Sequence, residues 1–221
     1  MAFSDRRHAG RLLADRLLVF AAERPVVVAL PRGGVPVAFE VARTLGAPLD
    51  ILAVRKLGAP GNPEFGVGAI AEDGTAVLNR PAARRVGLTA DVLDATVARE
   101  ATELQRRVDR YRDGRDRIDV RERTVIAVDD GLATGLTVLA AVRALRAAGA
   151  AKIIVAVPVG VTESIARVRA DADEVVCHTV PPELHGVGHW YRDFSPVSDD
   201  EVVGLLAAAA ASSPDSYPDA R

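Results

Sequence analysis

Short apolar, β-branched runs alternate along the chain with longer stretches whose apolar residues recur at helical spacing. Residues 4–22 begin at a plausible cap, Ser4, and keep the helical period. PVVVAL (25–30) then predicts a buried strand, and PRGGVPVAFEVARTLG turns through two glycines into a helix that ends near Gly46. LDILAVRKL (49–57) predicts the next strand. The stretch GAPGNPEFG (58–66), with three glycines and two prolines, predicts an irregular and mobile loop. An Asp-Gly pair between apolar runs predicts a β-hairpin over 67–79, and Thr89 caps a long charged helix over about 90–112. TVIAVDD (124–130), KIIVAVPV (152–159) and EVVCHTV (174–180) read as strands, separated by helices over 135–148 and 162–170. Strands separated by helices predict an α/β fold with a parallel sheet and right-handed crossovers.

In such a sheet, ligands gather outside the carboxyl ends of the strands, and TVIAVDD delivers Asp129 and Asp130 to that edge. The loop GLATGLT (131–137) then enters a helix whose first N–H groups lack partners and whose dipole is positive there, a setting suited to a phosphate. Gly131 and Gly135 permit tight turns, and the hydroxyls of Thr134 and Thr137 add donors. Two carboxylates would repel an anion, so they need partners of their own: sugar hydroxyls, or a divalent cation held directly or through water. A phosphate joined to a sugar diol answers both halves of the motif. GxxxxGK[ST] has no match, which argues against a nucleoside triphosphatase, and the absence of DxD spacing with a nearby lysine argues against a hydrolase with Asp129 as nucleophile.

An apolar strand, two acidic residues and a short loop ending in Thr-Gly-x-Thr resemble the 5-phosphoribosyl-1-pyrophosphate (PRPP) signature of the type I phosphoribosyltransferases. The resemblance implies that Asp129 and Asp130 hold the ribose hydroxyls and that Gly131, Leu132, Ala133, Thr134, Gly135, Leu136 and Thr137 surround the 5′-phosphate. PRGG (31–34) is similar to the family's pyrophosphate loop, which often contains a strained or cis peptide. Arg32, with the Gly33 and Gly34 amides, would then face the leaving group, joined by Arg55 and Lys56 from the second strand. Residues 58–79 look like the family's lid, which excludes water from a ribosyl centre with oxocarbenium character. Glu64 and Glu72, on that lid, are the candidates for orienting the nucleophile or moving a proton. Ala133 stands where 6-oxopurine transferases carry an Asp, so the motif looks closer to adenine-type members.

The run from FSDRRHAG through PRGG and NPEFGVGAI to WYRDFSPVSDDEV resembles uncharacterised bacterial phosphoribosyltransferase-like proteins over nearly the whole length. The resemblance implies one domain over 1–221, with a core at about 24–180, the lid at 58–79, a helical insertion at 80–120 and a hood at 181–206. The hood concentrates Trp190, Tyr191 and Phe194 in a chain that is 4% aromatic. These rings either stack on a planar base, plug the tail onto the core, or form a dimer contact. Gly186 and Gly188, between His185 and His189, argue against a helix presenting both histidines to a metal.

Composition narrows the partners further. The balance of 28 basic and 30 acidic residues leaves a net charge of −2, with no basic field for nucleic acid or an anionic membrane. A polar N-terminus and the lack of a long apolar run predict a cytoplasmic chain. The single cysteine, Cys177, excludes an internal disulfide and reads as a small core residue. The expectation is a Mg²⁺-dependent transferase moving a phosphoribosyl group from PRPP to a nitrogenous base, as a homodimer. The alternative is a non-catalytic PRPP-binding regulator on the same fold.

Overall fold

Five strands form one parallel sheet in the order β2-β1-β6-β7-β8: β1 (Val26–Ala29), β2 (Leu49–Ile51), β6 (Thr124–Val128), β7 (Lys152–Val159) and β8 (Glu174–Thr179). The computed structural model describes residues 3–59 and 62–212, with the side chains of 62–64 outside that description. The strands are buried on both faces, which is why their sequences read as unbroken apolar runs. Val27, Ala29, Ile126, Val128, Ile154 and Ala156 face α1 (Arg6–Leu17), α2 (Gly34–Leu45) and α7 (Asp199–Ser212). Their pleat neighbours Val26, Val28, Val125, Ala127, Ile153 and Val155 face α5 (Leu136–Ala147) and α6 (Thr162–Val168).

The chain leaves β1 toward β2 on one side and leaves β6 toward β7 on the other. The boundary between β1 and β6 is therefore the switch point at which a crevice opens beyond the strand ends.

Several elements depart from the sequence reading. Asp5, not Ser4, caps the first helix: its carboxylate accepts from His8 N–H at 2.7 Å. That helix stops at Leu17, and a 3-10 turn (Leu18–Glu23) carries the chain to Arg24 at φ 49°. The strand predicted over 49–57 breaks in two. After β2, Ala53 N–H donates to the Glu72 carboxylate (2.9 Å) and Ala53 O accepts from Glu72 N–H (3.0 Å), so the chain leaves the parallel sheet for a second one. That sheet is antiparallel: β3 (Val54–Ala59), β4 (Asn62–Ala71) and β5 (Ala76–Leu78).

The stretch predicted as irregular is thus mostly strand where it is described, with register shifts around Gly58; residues 60–61 lie outside the described residues. The Asp-Gly turn falls as predicted, with Gly74 at φ 87° and the Asp73 carboxylate accepting from Thr75 N–H (2.9 Å). Helix α3 (Arg80–Arg85) leads to α4 (Ala90–Arg112), which is capped by Thr89 and packs Leu93, Leu104 and Val108 against Leu57, Val67 and Ile70 of the hairpin. Residues 199–212 of the tail form α7, which buries Val202 and Leu206 against the α2 face. The tail at the sheet edge is therefore the shorter piece before α7. Among the described residues no helix is long and apolar enough to cross a membrane.

Candidate active site

The acidic pair sits where β6 ends. Asp129 Oδ1 accepts from the Asp130 N–H (2.8 Å), which leaves Asp129 Oδ2 without a hydrogen-bond partner among the described residues. Asp130 Oδ2 accepts from Arg6 Nε (2.8 Å), and Oδ1 is likewise without one. Burial, aided by the charge of Asp130, pushes the Asp129 carboxyl well above the usual carboxylate range. Burial also raises Asp130, with the Arg6 guanidinium working against it. Two carboxyls held at such a cost call for a ligand that donates hydrogen bonds or carries positive charge.

The following loop is shaped by its carbonyls. Leu132 N–H donates to Val159 O (2.8 Å) and its side chain is buried, so Leu132 anchors the loop and offers no donor to a ligand. Ser164 Oγ, buried on α6, donates to Ala133 O, and Arg167 Nη1 donates to Thr134 O (2.7 Å). In a planar trans peptide, C=O and N–H point in opposite directions. Pinning these two carbonyls to α6 therefore turns the Thr134 and Gly135 amides the other way, and Gly135 takes φ 79° to complete the turn. With Gly131, Ala133 and the first turn of α5, they form a row of N–H groups that have no protein partner among the described residues, at a helix N-terminus. The hydroxyls of Thr134 and Thr137 make no protein hydrogen bond either, among the described residues. Ser164→Ala should release Ala133 O and weaken binding of inorganic phosphate and PRPP alike by several-fold, since one buried hydrogen bond is worth about 1 kcal/mol. Calorimetry on the variant checks this, and unchanged phosphate affinity would refute the role of the pin.

The PRGG loop meets the acidic pair across the switch point. A Cβ on Gly34 would lie 3.0 Å from Asp129 Cα, and one on Gly33 would lie 1.9 Å from Asp130 Oδ2. The Pro31–Arg32 peptide is cis. Gly34 N–H is already used, donating to Leu30 O (3.0 Å), so the Arg32 and Gly33 amides are the ones left open to an anion. The Arg32 guanidinium lies 3.6 Å from Asp199 at the start of α7. It lines a cavity of about 190 Å³ together with Arg55, Arg107, Leu104 and Tyr111.

Arg55 and Lys56 do not act as a pair. The pleat sends Arg55 toward Glu100 on α4 and leaves Lys56 exposed on the other face of the hairpin. Glu72 is 5% exposed and bonds Arg112 (2.6 Å) as well as Ala53, which makes it an anchor of the hairpin and not a reactive group. The Glu64 side chain lies outside the described residues.

The three aromatic residues of the tail are already in use. The Tyr191 ring is buried between Phe3 (5.2 Å) and Phe194 (5.1 Å), and its hydroxyl donates to Asp130 O (2.6 Å). Burial raises that phenol far above its ordinary value. Trp190 packs half-buried against the same cluster, and Phe194 carries the Arg6 guanidinium 3.8 Å above its ring. Cys177 is a partly buried thiol that burial pushes up to about 11, as a core residue should be. His185 is exposed beside Glu183, and no cluster of three metal-ligating side chains occurs among the described residues.

This geometry agrees with comparison to known proteins. The phosphoribosyl transferase domain matches residues 5–191. The chain belongs to this family. Relatives in two strains of Mycobacterium tuberculosis, provisionally named phosphoribosyl transferases, are 52% identical over 207 residues, which is 94% of this chain and 47% of theirs. The chain thus spans about half the length of those relatives. The crystal structure of TT1426 from Thermus thermophilus superposes with a TM-score of 0.79 at 46% identity, covering 94% of this chain and 99% of that one.

Three residues of the site escaped the sequence reading: Arg6, Ser164 and Arg167. Arg6 reaches Asp130 from α1, and Ser164 and Arg167 reach the loop from α6; a single arginine or serine on a separate helix gives no motif.

Proposed function

We propose that the protein transfers a 5-phosphoribosyl group from PRPP to a nitrogenous base of the nucleobase class, with release of pyrophosphate. The observation that carries this reading is the meeting of Asp129 and Asp130, the open amides of Gly131, Ala133, Thr134 and Gly135, and the PRGG turn at one switch point. Asp129 Oδ2 and Asp130 Oδ1 accept from the ribose hydroxyls. The loop amides and the α5 N-terminus hold the 5′-phosphate. The Arg32 and Gly33 amides, with the Arg32 side chain, hold the pyrophosphate. The C1–O bond to pyrophosphate breaks with its electron pair leaving on that group, the acceptor nitrogen's lone pair forms the new bond to C1, and its proton departs. The chain supplies position and a fixed field for the charge that develops on the leaving group.

The donor set suits Mg²⁺: the carboxylate oxygens of Asp129 and Asp130 that have no hydrogen-bond partner among the described residues can hold it through water or substrate oxygens. Such an ion would neutralise pyrophosphate charge.

One observation favours a second reading, a PRPP-binding regulator: Tyr191 and Phe194 are engaged in internal contacts, so neither of those two rings is set aside for a base. Pyrophosphate release with adenine, guanine, hypoxanthine, xanthine, uracil and orotate separates the two. For a transferase, Arg32→Ala should lower turnover about a hundredfold while changing PRPP affinity much less, the pattern of a group used in the transition state. Tight PRPP binding with no turnover on any base selects the regulator.

A further inference from the structure

The start of the chain and the end of the hood segment are zipped together. Phe3 N–H donates to Trp190 O (3.0 Å), Arg192 N–H to Phe3 O (2.9 Å) and Asp193 N–H to Ser4 O (2.9 Å). Helix α1 starts two residues later, so its first residue, Arg6, stands between this strip and the acidic pair. The Arg6 guanidinium makes three contacts at once: Nε donates to Asp130 Oδ2 (2.8 Å), Nη1 donates to Ser195 O (2.8 Å), and Cζ lies over the Phe194 ring, 3.8 Å from its centroid. Only 11% of the side chain is exposed, against 17% for Asp130. Tyr191, from the same strip, holds the Asp130 carbonyl. Asp130 is therefore held at its backbone carbonyl by Tyr191 of the hood and at its carboxylate by Arg6 of α1, and among the described residues Oδ1 remains open to a ligand.

We propose that Arg6, carried on Phe194, is a positioning residue for PRPP. It fixes the Asp130 carboxylate so that Oδ1 serves a ribose hydroxyl, and it offsets the repulsion between the two adjacent carboxylates. Residues 190–195 thereby become part of the PRPP site, and Phe194 serves as a platform for Arg6, with that ring face closed to an acceptor base. A planar guanidinium is suited to this post because it can bond a carboxylate and a carbonyl in one plane while stacking on an aromatic face. The proposal rests on the PRPP reading given above.

The test is calorimetric titration with PRPP and Mg²⁺ in the absence of any acceptor, with inorganic phosphate as a second probe. Arg6→Met should weaken PRPP binding about tenfold or more, the scale of a charged hydrogen bond. Arg6→Lys, which keeps the charge but not the fork, should recover part of the loss. Phe194→Leu, which keeps an apolar contact but removes the ring face, should weaken PRPP by several-fold, and the double variant should bind no worse than Arg6→Met alone. Phosphate affinity should hold in all of them, because Arg6 does not touch the amides of 131–135.

Wild-type PRPP affinity in folded Arg6→Met overturns the proposal. So does an equal loss of phosphate and PRPP, which would mean a loosened site, or full additivity of the two substitutions. If Arg6→Met does not fold, Arg6→Lys and Phe194→Leu decide by the same criteria. Failure of the wild type to bind PRPP removes the proposed function itself and this role with it, whereas wild-type binding with indifferent variants removes only the role of Arg6.

Discussion

Replacing both acidic residues, Asp129→Asn with Asp130→Asn, is expected to weaken PRPP binding about a hundredfold or more, because two charge-assisted hydrogen bonds at roughly 1.5–3 kcal/mol each are lost. The same pair should show the opposite effect on the ligand-free fold, at least for Asp129. Its carboxyl is raised above its ordinary 3.8 by burial and by the neighbouring charge. A carboxyl whose folded value exceeds its unfolded value binds more protons in the native state over the interval between the two. Native stability therefore falls as pH rises from the unfolded value through the folded one, and the full penalty persists above it. Asp129→Asn removes that penalty while keeping an oxygen to accept from the Asp130 N–H. Thermal unfolding without ligand should thus show no gain for this variant below about pH 4, the ordinary carboxylate range, and a gain that grows as pH rises from there to the folded value and stays constant above it. PRPP titration of the double variant and a pH series of melting curves for the single variant measure both. An unchanged PRPP affinity in a folded double variant would end the ribose assignment. Asp130→Asn alone should not stabilise, since it strips Arg6 of its ion pair.

The parts of the site that were legible in the sequence are those written contiguously. Strand β6, Asp129, Asp130 and the loop to α5 follow one another, so the spacing itself carries the chemistry, and PRGG is likewise a local turn. The main sheet was legible because both of its faces are covered and its strands are plain apolar runs. Where sequence reading failed, the deciding contact was remote. The strand over 49–57 breaks because Ala53 pairs with Glu72, and nothing in LDILAVRKL announces that partner. The glycines and prolines of 58–66 suggested a loop, yet the described part of this stretch pairs as antiparallel strands with register shifts around Gly58. Arg6 lies 124 residues from Asp130 and looks like one more charge on the outer side of an ordinary helix. The hood aromatics were visible as a cluster, but whether they face a base or one another depends on the docking of residues 3–5 beside them.

Gly34→Ala is the second substitution expected to have a large effect, because it strikes the joint between the pyrophosphate loop and the acidic pair. A Cβ there would lie 2.6 Å from Val128 O and 3.0 Å from Asp129 Cα. Both are backbone atoms at the end of β6, and Val128 O is already engaged by Leu30 N–H (2.9 Å), so neither can swing aside as a side chain would. The end of β6 must move away from α2, at a cost of about 1–3 kcal/mol for an overpacked core position, and Asp129 moves with it. The variant should therefore melt lower and bind PRPP at least tenfold more weakly, a loss expected when a carboxylate is carried out of hydrogen-bond reach. Gly46→Ala is the control. Gly46 has φ 61° and no atom within 4 Å of a would-be Cβ, at the far end of α2 from the site. Alanine there carries the penalty of left-handed backbone, about 1–2 kcal/mol, with no displacement of the acidic pair. The two variants should thus lose similar stability, while only Gly34→Ala loses PRPP. Equal PRPP affinities for both, measured well below their melting points, would show that close approach of the two loops is a packing feature with no part in binding.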